Sequence, residues 1–486
     1  MSGFARPLCA LGLALAAGLA CAAPPTDYDP LGSRQSLAGL PPPGQPPLGD
    51  ATLPGCPPPF AGGRIGLAEA VQRALCRDPR GRQAWAEIDL AAARLGTARS
   101  AWWPTLNAQA GIGRDEQRLR QSATVGAAAT TNTSAFDNRN AQLSLAWTLF
   151  DFGQRSATEE GARQTLLAAT ASRSQVVQQI FLDAANAYLQ LLQAQGEMAV
   201  ARETERIYLQ GFLAAEAKHA AGVDDQAAKL QMQTAFAQSV VARVRAEGQL
   251  RTAQGTLAAA LGEPPGRPVE ADLDATRLPD TAFIRDTETL LALAEQQHPQ
   301  LQAARAQLAA AQARSAAAER AGRPTLSLAA SQGLTRRSGS EAATGLADRQ
   351  RDQSVGLQLT VPLFDGFSRV YEARAAQAEA AQAEATLAVA SRNIALEVWQ
   401  AYQAFQTQNR QLDGTERLLG YATRSLEVAQ GRFKAGVGGT LELLEAQRAL
   451  ADAAQQRIGV LSDWRATRLR LAAALGQLGL WSVRGD

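Results

Sequence analysis

Asn140-Ala-Gln-Leu-Ser-Leu-Ala-Trp-Thr-Leu-Phe-Asp151 alternates apolar and small residues along its length, and the same pattern returns between Ser354 and Asp365. In the first segment Leu143, Leu145, Trp147 and Leu149 alternate with Gln142, Ser144, Ala146 and Thr148. In the second, Val355, Leu357, Leu359, Val361 and Leu363 alternate with Ser354, Gly356, Gln358 and Thr360. Period two predicts strands, and roughly ten residues with one apolar and one polar face suit a strand of a membrane β-barrel. A half-buried strand of a soluble sheet would alternate in the same way. Trp102, Trp103 and Trp147 lie near the strand ends, where an interfacial aromatic belt belongs, and favour the barrel. Weaker partner strands are expected at about 104–114 and 324–334, with water-exposed loops over about 115–138 and 335–351.

Outward from these strands the chain repeats itself. Pro79 to Pro104 and Pro299 to Pro324 are both 25 residues, each second proline opening Pro-Thr-Leu. Leu149-Phe150-Asp151 leads to Ala221-Gly222-Val223 and Leu257-Ala-Ala-Ala-Leu-Gly262; Leu363-Phe364-Asp365 leads to Ala435-Gly436-Val437 and Leu471-Ala-Ala-Ala-Leu-Gly476. Phe to Gly is 72 residues and Gly to Gly 40 in both copies. Such spacing predicts two tandem copies of one long structural unit.

Helical pattern fills the rest of each copy. One helix is expected from Leu67 to Trp102, a very long one from about Gly153 to His219, and another from about Gln226 to Leu261. Copy two repeats the plan over about 289–322, 367–434 and 440–475. At about 1.5 Å per residue the long helices reach roughly 100 Å, beyond what a globular domain uses. The alanine-rich Ala-x-x-Ala spacing reads as close helix packing.

Charge excludes some functions. With 48 Lys and Arg against 46 Asp and Glu the net charge is +2, which gives no electrostatic footprint for nucleic acid. His219 and His298 lie in different copies with no cysteine or carboxylate cluster near them, so no metal site is expected. No cofactor is expected, and no nucleophile, base and orienting group converge, so an enzyme is not the reading.

Residues 1–22 read as a signal peptide, with Arg6, an apolar stretch from Leu8 to Ala20, and cleavage after Ala22. The alternative is lipidation of Cys21, although Gly18-Leu19-Ala20 lacks the leucine usual three positions upstream. Residues 23–63 are rich in proline and glycine and read as a non-helical, extended or disordered arm. Cys56 and Cys76 are the cysteines of the mature chain; an exported pair suggests a disulfide, the alternative being two buried thiols.

Four strands cannot close a barrel, and an open edge in lipid would leave its backbone groups without partners. The chain must therefore associate. Small polar residues on the inward face favour three copies and twelve strands enclosing a channel over two copies with a filled lumen.

These residues, from about 65 to 478, resemble the TolC family of outer-membrane export ducts through the duplicated Pro-Thr-Leu, Leu-Phe-Asp and Ala-Gly-Val landmarks. Arg73-Ala-Leu-Cys-Arg-Asp-Pro79 with Gln83-Ala-Trp85 resembles more narrowly the CyaE-type ducts of type I secretion. The resemblance implies a homotrimer with most of its mass in the periplasm: a twelve-stranded outer-membrane barrel continued by a periplasmic α-helical tunnel. It also implies an inner-membrane ABC transporter and a periplasmic adaptor as partners. Expected divisions are then 64–264 for the first repeat, 265–288 for an equatorial linker, 289–478 for the second repeat and 479–486 for a tail. The tip turns that meet the partners match Gly222, Val223, Gly436 and Val437. The family's acidic periplasmic ring matches Glu442 and Glu445, with Phe433 beside them at the aperture; the alternative is that both glutamates belong to a solvated helix face. The family's closed-state clamp uses a tyrosine and an arginine at the positions of Phe433 and Gly438, facing an acid at the position of Ala228, and this chain has none of these polar groups. The function implied is a passive exit duct for a secreted polypeptide such as an RTX-type toxin, with drug or metal efflux as the alternative. A soluble periplasmic helical scaffold is the third reading.

Overall fold

The computed structural model describes residues 29–37, 56–57, 60, 62–122, 129–222, 225–272, 287–339, 349–476 and 478. In chain order the elements are β1 (Gly63–Ile65), α1 (Leu67–Arg77), α2 (Pro79–Ser100), β2 (Thr105–Gln121), β3 (Thr130–Phe150), α3 (Gln154–Ala220), α4 (Gln226–Ala260), β4 (Val269–Ala271), α5 (Thr287–Gln297), α6 (Pro299–Arg320), β5 (Thr325–Gly339), β6 (Arg349–Thr360), α7 (Ser368–Lys434) and α8 (Thr440–Ala474). They fall into two compact units. One contains residues 92–159 and 320–365, hence the four long strands; the other contains residues 40–91, 160–319 and 366–486, hence most of the helical mass.

The four strands form one antiparallel sheet in the order β2-β3-β5-β6. Its ladders run further than the alternation alone predicts: β2 and β3 pair from Thr105↔Ala146 to Gln121↔Thr130, taking in most of the expected loop 115–138. β5 likewise extends through Gly339, into the expected loop 335–351. The cause is that polar residues end the apolar alternation without ending the ladder, and Thr131 and Thr133 suit extended backbone. Two single-residue assignments also change. Between Thr148 and Phe150 the register slips at a bulge, so Phe150 pairs opposite Leu326 and Leu149 is the extra residue. Val361 lies beyond the end of β6 at Thr360, because Pro362 cannot donate to a ladder.

The helix expected from Leu67 to Trp102 is two helices. Asp78, preceding Pro79, is extended at φ −60° and ψ 125°, as steric conflict with the proline ring demands. Its amide closes α1 on the Ala74 carbonyl, and its carboxylate accepts from the Arg80 amide at 2.8 Å to start α2. His298-Pro299 breaks copy two into α5 and α6 at the matching place. Within the proline-rich arm, Gln35–Leu37 form one 3-10 turn, where no helix was expected.

α3 and α7 both contain 67 residues, and α4 and α8 both contain 35. The repeated glycines explain the fixed spacing: Gly222 and Gly436, like Gly262 and Gly476, follow helix ends with φ between 70° and 76°. That left-handed conformation terminates a helix at low cost only without a Cβ. In the helical unit the largest core joins α1, α3, α4, α8 and the β1–β4 pair around Phe181, Tyr188, Leu257 and Leu261. Gly196 lets α3 approach α8, since a Cβ there would meet the Ile458 side chain at 3.1 Å.

Candidate functional site

The helical tip is built from two turns. After α3, Gly222 has φ +70°, and Asp225 caps α4 by accepting from the Ala228 amide at 2.8 Å. Val223 lies outside the described residues. After α7, Gly436 has φ +76°, and the amides of Val437 and Gly438 both donate to the Arg432 carbonyl at 3.1 Å. A Cβ at Gly438 would stand 2.9 Å from Arg432 Cβ, so this turn has no room for an arginine unless it opens. Val437 and Leu441 are exposed.

Glu442 and Glu445 sit one and two turns into α8, on its exposed side, while Leu443, Leu444, Ala446 and Gln447 are buried. Glu442 is bound by Arg432, with Nε to Oε1 at 3.0 Å, so half of the expected acidic pair is compensated within the chain. Glu445 forms no ion pair among the described residues. Phe433, expected at the aperture, lies in the interior of this chain. It is 3% exposed, held in a cluster with Tyr208, Ala215, Met232, Ala235 and Leu443. Packing explains the correction, since Phe433 lies on the α7 face that meets the other hairpin.

Sequence reasoning missed Lys218. From the last turn of α3 its ammonium stands 3.5 Å from the centroid of the Phe433 ring and donates to the Phe433 carbonyl at 2.7 Å. A cation there also gives a second donor to a carbonyl that the Gly436 amide reaches at 3.2 Å at the end of α7. Its position four residues before Gly222, matched in copy two by the cation Arg432 four residues before Gly436, was the available signal. Lys218 thus ties the first hairpin tip to the second.

The sheet presents two chemically distinct faces. Its register puts Leu106, Leu145, Ala330 and Val355 in one row, and Trp147, Leu328 and Leu357 in the next. Leu143, Leu359 and Phe150 share this face with them, with Leu326 opposite the latter two. The other face carries Asn107, Ser144, Ser331 and Ser354 in one row and Gln109, Gln142, Gly333 and Asp352 in the next. Trp147 Nε1 donates to the Trp102 carbonyl at 2.9 Å, and the Arg155 guanidinium stacks 4.3 Å over the Trp102 ring. Arg155 also binds Asp151, whose carboxylate caps the start of α3.

Residues 70–263 and 290–477 match the family described as Outer membrane efflux protein. The chain belongs to that family. It is 32% identical over 435 residues to protein CyaE of Bordetella pertussis, covering 89% of this chain and 88% of that one. It is 29% identical over 428 residues to the pyoverdine export outer membrane protein OpmQ of Pseudomonas aeruginosa, covering 86% and 85%. The fold matches the outer-membrane channel OprN with a TM-score of 0.72 at 22% identity, covering 86% of this chain and 90% of that one. This efflux-family member is therefore an outer-membrane channel-tunnel protein. No helix among its described residues is long and apolar enough to cross a membrane.

Cys56 and Cys76, 20 residues apart, are bonded with their Cα atoms 5.8 Å apart, which fastens the end of the N-terminal arm to α1. Beside them Glu263, buried, is bound by Arg77 and by Arg267 at 2.7 Å and accepts from the Phe60 amide at 3.1 Å. Burial pushes its carboxyl up, but the Phe60 amide and the two guanidinium groups outweigh that and hold it below the usual carboxylate range.

Proposed function

We propose that this protein is the passive outer-membrane exit duct of a type I secretion system, exporting a polypeptide. It works as a homotrimer with a periplasmic adaptor and an inner-membrane ABC transporter. The observation that carries the duct is the two-faced α7. Ala390, Ile394, Val398, Ala422, Leu426, Ala429 and Phe433 are buried within the chain. Val370, Tyr371, Val389, Leu396, Trp399, Leu418, Tyr421 and Val428 are exposed. At about 100° per residue the exposed set falls within an arc of about 120°, separate from the buried arc. A helix with a second, unpartnered apolar stripe is a stave that needs a neighbour, and the open sheet edges β2 and β6 need one as well. Three copies supply both, with the Leu143, Leu145, Trp147, Val355, Leu357 and Leu359 face turned to lipid and the Ser, Asn and Gln face lining the lumen.

The polypeptide cargo is supported by the likeness to CyaE-type ducts, while the 29% identity with OpmQ favours small-molecule export as the second reading. Deleting the gene and measuring, in the same strain, release of large secreted polypeptides and sensitivity to small toxicants separates the two. Lost release with unchanged sensitivity supports secretion; the reverse supports efflux. In the assembled duct Gly222, Val223, Gly436 and Val437 meet the partners, and Glu442 and Glu445 ring the entrance. Because Arg432 compensates Glu442, Glu445→Gln should reduce cation selectivity in planar bilayers more than Glu442→Gln. Unchanged selectivity in the double variant would assign both to a solvated face.

A further inference from the structure

The apolar face of the sheet does not end in the same way at its two rims. At the helix-proximal rim it ends in aromatic residues: Phe150 beside Leu326, then exposed Trp103 and Phe364. Towards the hairpin tips it ends in arginine. The last fully apolar row is Leu106-Leu145-Ala330-Val355. The next places Gln332 and Gln353 beside Leu143, the one after places Arg351 beside Leu334, and then Arg139, Arg336 and Arg349 stand directly opposite one another on three adjacent strands. All four arginines are exposed and form no ion pair among the described residues. Among the described residues, the acids on that face are Asp137, directly opposite Arg114, and Glu116, 3.7 Å from Arg118.

Like charges placed directly opposite on neighbouring strands repel. Three in one row, with a fourth two residues along β6, put four arginine Cα positions within about 12 Å at a strand spacing of about 4.8 Å and a rise of about 3.3 Å per residue. From Leu326 to Arg336 is ten residues, about 33 Å along the strand. At a tilt of about 40° this is about 25 Å of height, the height of the apolar band of an outer-membrane barrel. The arginine row therefore stands at headgroup level on the lipid side. Planar guanidinium forks bind phosphate oxygens in pairs.

We infer that Arg139, Arg336, Arg349 and Arg351 form a binding site for a phosphorylated lipid headgroup of the outer leaflet, occupied by membrane lipid and not by cargo. The occupant is lipid because the site is continuous with the apolar face, so one molecule lays its acyl chains on Leu143, Val355 and Leu357 while its phosphates meet the arginines. The inference rests on this face being the lipid face, as proposed above.

The test is native mass spectrometry of the intact oligomer, released from detergent after exchange into lipopolysaccharide or its enzymatically dephosphorylated form. The protein should retain the phosphorylated form and lose the dephosphorylated one. Arg139→Gln/Arg336→Gln/Arg349→Gln should weaken retention about 100-fold, at about fivefold per surface charge, while the oligomer and its single-channel conductance persist. Arg349→Gln alone, near the hairpin tip, should weaken it about fivefold and covers the case in which the triple variant fails to assemble. Equal retention of both lipid forms, or unchanged retention in the variants of an intact oligomer, would overturn the site and leave the duct reading standing. Displacement by millimolar inorganic phosphate alone would mean an anion site without a lipid requirement, which also overturns it. Failure of the unmodified chain to form any oligomer would remove the duct reading first.

Discussion

α3 and α7 occupy the same place in the two copies and have the same length, yet one is core and the other is largely surface. α3 buries Ile180, Phe181, Ala184, Ala185, Tyr188 and Leu191 in a single run, the middle of the largest core. α7 buries seven residues over its whole length and exposes eight large apolar ones on another arc. The strand-to-helix corners repeat the contrast: Asp151 is buried and capped by Arg155, whereas Asp365 is exposed. Duplication thus supplied two helices of one design. The first copy buries more of its apolar residues within the chain, and the second copy leaves an apolar arc exposed, which the proposed duct assigns to a neighbouring protomer.

If that division of labour holds, truncating the core of α3 should have the largest effect. Phe181→Ala removes a fully buried ring and should cost about 3–5 kcal/mol, seen as loss of folded protein from the outer membrane; a normal yield would mean that α3 is not the core helix. Leu357→Arg puts a charge on the apolar face of the sheet. Barrel assembly should be impaired by about 2–4 kcal/mol near mid-bilayer, read as loss of the heat-stable oligomer on unheated gels. Normal assembly would turn this face to the lumen.

Replacing Leu396 and Trp399 on α7 together by glutamate sharpens the comparison from the other side. Both are exposed in the single chain, so secondary structure should be unchanged by circular dichroism, while each lost burial should cost the oligomer about 1.5–3 kcal/mol. A destabilised monomer would show that the face is not free.

The smallest effect concerns the two helix joints. Burial holds the His298 imidazole below its ordinary pKa of 6.5, and its Nδ1 accepts from the Gln300 amide. The unfolded chain therefore binds the proton first, so this joint is unaffected above pH 6.5 and loses stability as pH falls below it. At the copy-one joint, burial raises the Asp78 carboxyl but the Arg80 contacts outweigh it and lower it below 3.8, so that joint weakens only in stronger acid. The denaturant midpoint should fall between pH 7 and pH 5.5, and His298→Gln should flatten the fall; an equal fall in the variant would place the titration elsewhere.

Most of the architecture was legible because it follows from spacing. Glycines that must adopt positive φ, prolines that must stop helices and a period-two run leave little choice about element order. What was not legible depends on contacts across the chain. Nothing local to Phe433 shows that Lys218 will cover it, and its alignment with an aperture residue pointed away from the core it occupies. The bulge at Leu149 and the strand ends near Gln121 and Thr360 were set by pairing with β2, β5 and Pro362, which a single strand's alternation does not reveal. Arg139, Arg336 and Arg349 are 197 and 13 residues apart in sequence, and only the register brings them into one row.

The central claim is that the exposed arc of α7 and the open edges β2 and β6 are completed by two further copies. Native mass spectrometry of the protein extracted from outer membranes in mild detergent measures this directly. The account predicts a species of three times the mature chain mass, reduced to monomer by Leu396→Glu/Trp399→Glu. A monomer in the unmodified protein, with the same mass before and after those substitutions, would contradict it.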